Sequence, residues 1–286
     1  SLGNPFGPSN LNPYYRRFAS NRGTSTVFSD AMKLEPTFAI IWVGMEDIVE
    51  YAKAGGYGKT ILPVSEFSLF LDSLLKSLKN TGAKGVIANI PQFRNFPFFA
   101  LIPWNGLELD KIKADTLNVL TGGFFNFQVG KNGFIAETKT DLMGFRMMRE
   151  KEQVLLSVPL DSMKCEKMGA ISYIPDRYVL DEDETDKIDV AIRKYNEVIF
   201  EKATQYGFAF VDIKAFLDKV SSGIRWEGVD YNASFVSGGF FSLDGYHPNQ
   251  KGYEMIANEF VSAINLKYNS VVPSVYCPDC TGILFP

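Results

Sequence analysis

TFAIIWV, residues 37–43, is an unbroken apolar run closed by Pro36 on one side and Gly44 on the other. A strand buried on both faces of a parallel sheet reads this way, because both of its faces need apolar side chains. Parallel strands need a crossover, and a helix follows. Ser65 is a candidate N-cap, and Phe67, Phe70, Leu71, Leu74, Leu75 and Leu78 fall at helical spacing up to Gly82. A second buried run, GVIANI at 85–90, is stopped by Pro91. Strand, helix and strand at these lengths predict a βαβ unit with a right-handed crossover.

The pattern returns downstream. Ile188, Ile192, Tyr195 and Ile199 mark one face of a helix over about 185–206, followed by the strand FAFVDI at 208–213. Pro248 is placed to open a last helix with Ile256, Phe260 and Ile264 as its apolar stripe. The stretch from about 92 to 178 has no regular alternation of helix and strand. Its Gly130-Lys131-Asn132-Gly133 predicts a hairpin turn between 124–129 and 134–137, and the whole stretch reads as an insertion on the edge or top of the sheet. The fold class is α/β with a parallel sheet, taken as one domain over 1–286 with two domains as the alternative. Three strong strands are few for 286 residues, and the shortage points to strands missing at the N-terminus.

With 46% hydrophobic and 22% charged residues, the chain has material for one large core. A formal charge of -4 and the lack of any Lys/Arg run leave no electrostatic footprint for nucleic acid or an anionic membrane surface, so small neutral substrates fit better. No apolar stretch approaches the roughly 18 to 20 residues needed to cross a bilayer. The start, Ser1-Leu2-Gly3-Asn4-Pro5, has neither a basic nor an apolar leader region and reads as the middle of a loop in a processed or truncated product. Three cysteines exclude a disulfide-dense scaffold and a four-cysteine zinc site. Cys277-Pro278-Asp279-Cys280 reads as a structural disulfide or two idle thiols, with a redox or metal role as the rival.

The chain has one histidine, His247, in Ser242-Leu243-Asp244-Gly245-Tyr246-His247-Pro248. A lone histidine is usually structural. Here an aspartate three residues earlier, on a loop tightened by Gly245, can reach Nδ1 and fix the tautomer, leaving Nε2 to take a proton from a nucleophile. The second site is Trp42-Val43-Gly44-Met45-Glu46-Asp47 at the carboxyl end of the first strand, where ligands bind in open α/β sheets. Glu46 and Asp47 also suit a plainer role, complementing the positive end of the next helix. The aromatic group Phe93, Phe96, Phe98, Phe99 and Trp104 follows the second strand. It reads either as a substrate pocket or as a satellite core under a long loop.

A strand ending in Gly-x-(Asn)-Asp, followed much later by Asp-x-x-His before the last helix, resembles the block pattern of the GDSL/SGNH hydrolases. Phe28-Ser29-Asp30-Ala31-Met32, Ile102-Pro103-Trp104-Asn105-Gly106-Leu107, Ile174-Pro175-Asp176-Arg177-Tyr178-Val179-Leu180 and Gly282-Ile283-Leu284-Phe285-Pro286 resemble its Bacteroidetes-type branch. The resemblance implies a flavodoxin-like three-layer sheet. It makes Asp244 and His247 the acid and base of a triad, and puts 44–47 on the oxyanion side. It further implies a small acyl ester as substrate, no cofactor or metal, and a place in the periplasm, on the outer membrane as a lipoprotein, or outside the cell. Two departures stand out. The Gly-Asp-Ser block that carries the nucleophile is absent, and neither Ser9 nor Ser25 sits in a Gly-x-Ser-x-Gly elbow. Glu46 stands in the place of the family's oxyanion-hole asparagine, a donor whose loss typically costs about 100- to 1,000-fold in rate. The expected function is therefore ester hydrolysis with the serine supplied from upstream. A non-catalytic binding protein on the same fold is the alternative, and a redox or metal protein using Cys277 and Cys280 is a distant third. A sheet lacking its nucleophile strand exposes an edge, so a missing segment or a homo-oligomer is expected.

Overall fold

The computed structural model describes residues 14–139, 141–276 and Pro278. Three parallel strands form the central sheet. Lys84–Ala88 lies in the middle, with Phe38–Ile41 on one side and Ala209–Val211 on the other. In register, Ile41 lies beside Ile87, and Val211 beside Ala88. Every residue of the middle strand after Lys84 is buried, as two-sided coverage demands. The first strand departs from the sequence expectation. Phe38 is 38% exposed and Ile40 is 67% exposed, because among the described residues this strand pairs on one side and lies at the edge of the sheet.

The predicted helices are present with shifted ends. Val64–Asn80 starts after Pro63 and has no side-chain cap from Ser65. Glu182–Tyr206 starts three residues earlier than the apolar spacing indicated. Asp181 accepts from the Glu184 N–H while the Glu184 side chain accepts from the Asp181 N–H, a capping box that ties down the first turn. The last helix, Gln250–Tyr268, is capped by Asn249 rather than opened by Pro248. Val64–Asn80 packs along Glu182–Tyr206, with Phe67 stacked on Tyr195 at 3.9 Å between ring centroids. The last helix and Ile213–Ser222 pack together, and the last helix lies against the middle and third strands.

One cross-link between helix and sheet was invisible in the sequence. The Asn196 amide accepts from the Ile90 N–H and donates to the Ile90 carbonyl, both at 2.7 Å, just past the middle strand. Ile90 is fully buried, so no solvent replaces those bonds. Asn196→Leu is expected to lower stability by about 2–4 kcal/mol, since two buried backbone groups lose their partners. A urea midpoint unchanged from the wild type would refute this.

The region from about 92 to 178 is built differently from the predicted hairpin. Gly130–Asn132 pairs antiparallel with Leu107–Leu109, and Ile135–Glu137 pairs with Phe145–Met147. The Gly130-Lys131-Asn132-Gly133 stretch is thus a strand with a distant partner, not a turn. A helix, Lys111–Leu120, also forms here, capped by Asp110. Two apolar clusters of its own hold the region together, one around Leu117, Phe127 and Ile135, the other around Phe134, Val154 and Ile174. Cys277 and Cys280 lie outside the described residues; Cys165 is an exposed free thiol.

Candidate active site

The loop before the last helix is knitted at both ends. The Ser242 N–H donates to the His247 carbonyl, and the Asn249 N–H to the Phe240 carbonyl. The Asn249 side chain donates to the Gly239 carbonyl and accepts from the Gly252 N–H to cap the helix. At its tip Gly245 has φ +69°, and a Cβ there would lie 2.9 Å from the Phe98 nitrogen. This position therefore needs glycine both for its backbone and for space.

Within this frame the two carboxylate oxygens of Asp244 have separate tasks. Oδ1 accepts from the Tyr246 N–H at 2.9 Å, the His247 N–H at 2.9 Å and the Ser242 hydroxyl at 2.7 Å. Oδ2 lies 2.5 Å from His247 Nδ1. Burial by itself would raise the Asp244 pKa, but the bonds from His247, Ser242 and the two backbone N–H groups outweigh it and hold the carboxyl well below the usual carboxylate range. An ionised Asp244 keeps the proton of a neutral imidazole on Nδ1 and leaves the Nε2 lone pair free.

His247 borders an apolar groove of about 710 Å³ that runs along the first strand, on the edge that has no strand partner among the described residues. Trp42, Gly44, Glu46, Asp47, Phe67, Phe96 and Tyr246 share its lining. Gly44 caps the helix Met45–Lys53 with φ +92°, and a Cβ on it would lie 2.8 Å from the Phe67 ring. Glu46 and Asp47 are in the first turn of that helix, so both readings of these residues apply: they complement the helix end and they border the groove.

Of the residues singled out in the sequence, His247, Asp244, Gly44, Glu46, Asp47 and Phe96 come together. Phe93 and Trp104 do not. Phe93 is fully buried in the main core, edge-on to Phe99, and Trp104 packs on the cluster around Phe134 and Val154. Ser25 is held by the Asn21 carbonyl at 2.9 Å and is not among the groove residues; Ser9 lies outside the described residues. Trp42, which heads the second site read from the sequence, is in the groove; Phe67 and Tyr246 were passed over as groove residues. For Tyr246 the signal was its place next to the histidine.

Burial, and next to it the neighbouring Glu46 carboxylate, push the Asp47 pKa up to about 6. The folded state therefore binds this proton more tightly than the unfolded chain, where a carboxyl titrates near 4. Stability attached to Asp47 is present below about pH 4 and is lost as pH rises through about 6. Asp47→Asn, a neutral isostere, is expected to raise the urea midpoint near pH 7.5 and leave it nearly unchanged near pH 4.5. An equal shift at both pH values would contradict this.

Among the described residues no group of acidic, histidine and cysteine side chains has the makings of a metal site, and no helix is long and apolar enough to cross a membrane. Comparison with curated proteins finds no match. Among solved structures, the chain is similar to the crystal structure of an alpha/beta hydrolase enzyme from the metagenome of Lake Arreo, Spain. The likeness is 14% identity with a TM-score of 0.39, covering 85% of this chain and 70% of that one. At that level the neighbour carries no assignment. The sequence model of the GDSL-like lipase/acylhydrolase family does, matching residues 7–260. On that match, which spans the parallel sheet, Gly44–Asp47 and the Asp244–His247 pair, the chain belongs to the GDSL-like lipase/acylhydrolase family.

Proposed function

We propose that this protein is a carboxylic ester hydrolase acting on small acyl esters by Ser-His-Asp chemistry, with the serine on a segment of the full protein outside these 286 residues. The observation that carries this reading is the 2.5 Å contact between Asp244 Oδ2 and His247 Nδ1 beside an apolar groove. His247 Nε2 takes the proton as the serine oxygen attacks the acyl carbon. It returns that proton to the alcohol as the tetrahedral intermediate collapses to an acyl-enzyme. Water, activated by the same nitrogen, then releases the acid.

Two features support a serine from elsewhere. Among the described residues lining the groove there is neither serine nor cysteine. Among the described residues the first strand also has one edge without a strand partner along the groove, where an added strand would gain backbone hydrogen bonds. Such a strand would cover Phe38 and Ile40.

Glu46 favours a second reading, a binding protein that has lost hydrolysis. An ionised carboxylate on the oxyanion side opposes the charge that develops there. Hydrolysis of p-nitrophenyl acetate and butyrate by the full-length protein, together with labelling by a fluorophosphonate, separates the two. Turnover with the label on an upstream serine supports the hydrolase. A folded full-length protein with neither turnover nor label supports the binding protein and overturns the first reading.

A further inference from the structure

The helix that opens on Gly44 at the oxyanion side ends on Lys53. The Lys53 ammonium lies 3.9 Å from the centre of the Tyr246 ring and 5.6 Å from that of Phe98. Tyr246 also packs on Phe96, at 5.0 Å between centroids. It also meets the His247 ring edge-on, at 4.8 Å and 77°. The Phe98 backbone belongs to the same assembly: its N–H donates to the Gly245 carbonyl, and its carbonyl accepts from the Leu156 N–H. A charged side chain on the helix Met45–Lys53 thus meets the aromatic ring against which the histidine packs.

We propose that Lys53 is a positioning residue for His247, acting through the face of Tyr246. The proposal rests on the reading of His247 as the general base. The helix Met45–Lys53 then joins the two halves of the site, with Gly44, Glu46 and Asp47 at its start and the Lys53 contact to the base loop at its end. The Asp244 bond alone leaves the imidazole free to pivot about the Nδ1–Oδ2 line, and Tyr246 is the surface that stops the pivot. An ammonium over an aromatic face is attracted by the ring's electron density, so Tyr246 is held at its face as well as by the packing of Phe96. Glu50, one turn before Lys53 on this helix, is exposed and paired with Lys59 at 3.6 Å. It therefore has a cation of its own and does not depend on Lys53.

The test compares Lys53→Met with Lys53→Arg in the full-length protein. Methionine keeps the aliphatic stem and removes the charge, and arginine keeps a cation that stacks on aromatic rings. For Lys53→Met, kcat on p-nitrophenyl butyrate is expected to fall about 3- to 30-fold with KM within about twofold, and Lys53→Arg is expected to recover most of the loss. A readout independent of turnover comes from His247 being the chain's one histidine, which makes its ring signals in NMR unambiguous. The Asp244 bond keeps the proton on Nδ1 in all three proteins, so ring orientation is read instead: the wild type and Lys53→Arg should show strong nuclear Overhauser contacts between the His247 and Tyr246 ring protons, and Lys53→Met weakened ones. Identical ring contacts in all three proteins overturn the positioning role, whether or not the protein turns over ester. An absence of hydrolysis in the wild type, with the weakened contacts still present in Lys53→Met, would instead remove the catalytic reading and leave the Lys53 contact standing.

Discussion

His247→Ala in the full-length protein is expected to lower kcat on short-chain p-nitrophenyl esters by at least about 10⁴-fold, the scale on which a triad base is felt. Asp244→Asn should lose about as much while leaving KM within a few fold, for a reason visible in the site. Asp244 Oδ1 accepts from two backbone N–H groups and the Ser242 hydroxyl, so an asparagine would keep its carbonyl oxygen there. Its NH₂ would then face His247 Nδ1. The imidazole would have to accept at Nδ1 and carry its proton on Nε2, where a base needs a lone pair. The depressed pKa of Asp244 means the carboxylate is ionised at every pH at which esters would be assayed. Its contribution to stability is present above the unfolded value near 4 and fades only as pH falls through the lower folded value. Retention of more than a tenth of wild-type turnover by His247→Ala would end the Ser-His-Asp reading.

The largest expected effect on stability belongs to Phe67→Ala. Phe67 is buried in the main core, its ring stacked on Tyr195 with 2° between the planes. Tyr195 is itself fully buried, and its hydroxyl donates to the Leu62 carbonyl at 2.7 Å. The Phe67 ring also closes against Gly44, where no Cβ intervenes. Truncation leaves a cavity between two helices and the Gly44 turn that opens Met45–Lys53, so the expected cost is about 3–5 kcal/mol, in the range of buried Phe→Ala changes. Loss of the stacked pair adds to the burial term. Urea unfolding reads the stability. A change below about 1 kcal/mol would mean that the site collapses onto the gap, contrary to the close packing of cores. Turnover should fall as well, since Phe67 lines the groove.

Much of the site was legible in the sequence because its parts are local. Asp244 and His247 lie three residues apart, and a loop that short has few ways to fold, so the contact could be foreseen from spacing. Gly44 to Asp47 follow directly on a strand, which places them at its carboxyl end whatever the rest of the chain does. Phe93 and Trp104 were drawn in with Phe96 by proximity along the chain. A short helical turn, Phe93–Asn95, sends Phe93 into the core, and Trp104 leaves with the next strand pair.

The fold divides in the same way. Apolar runs and 3.6-residue spacing are written into single segments, so the three parallel strands and the three long helices could be read without knowing their neighbours. By itself the sequence therefore determined the α/β class, the order of the main elements and the Asp-His pair. Only the tertiary structure decided that Gly130–Asn132 pairs with Leu107–Leu109, that Asn196 serves the backbone of Ile90, that one edge of Phe38–Ile41 faces the groove, and that Lys53 meets Tyr246. Each of these joins residues more than 20 positions apart. Such contacts are selected by the packing of the whole chain, and no periodicity within either segment records its partner.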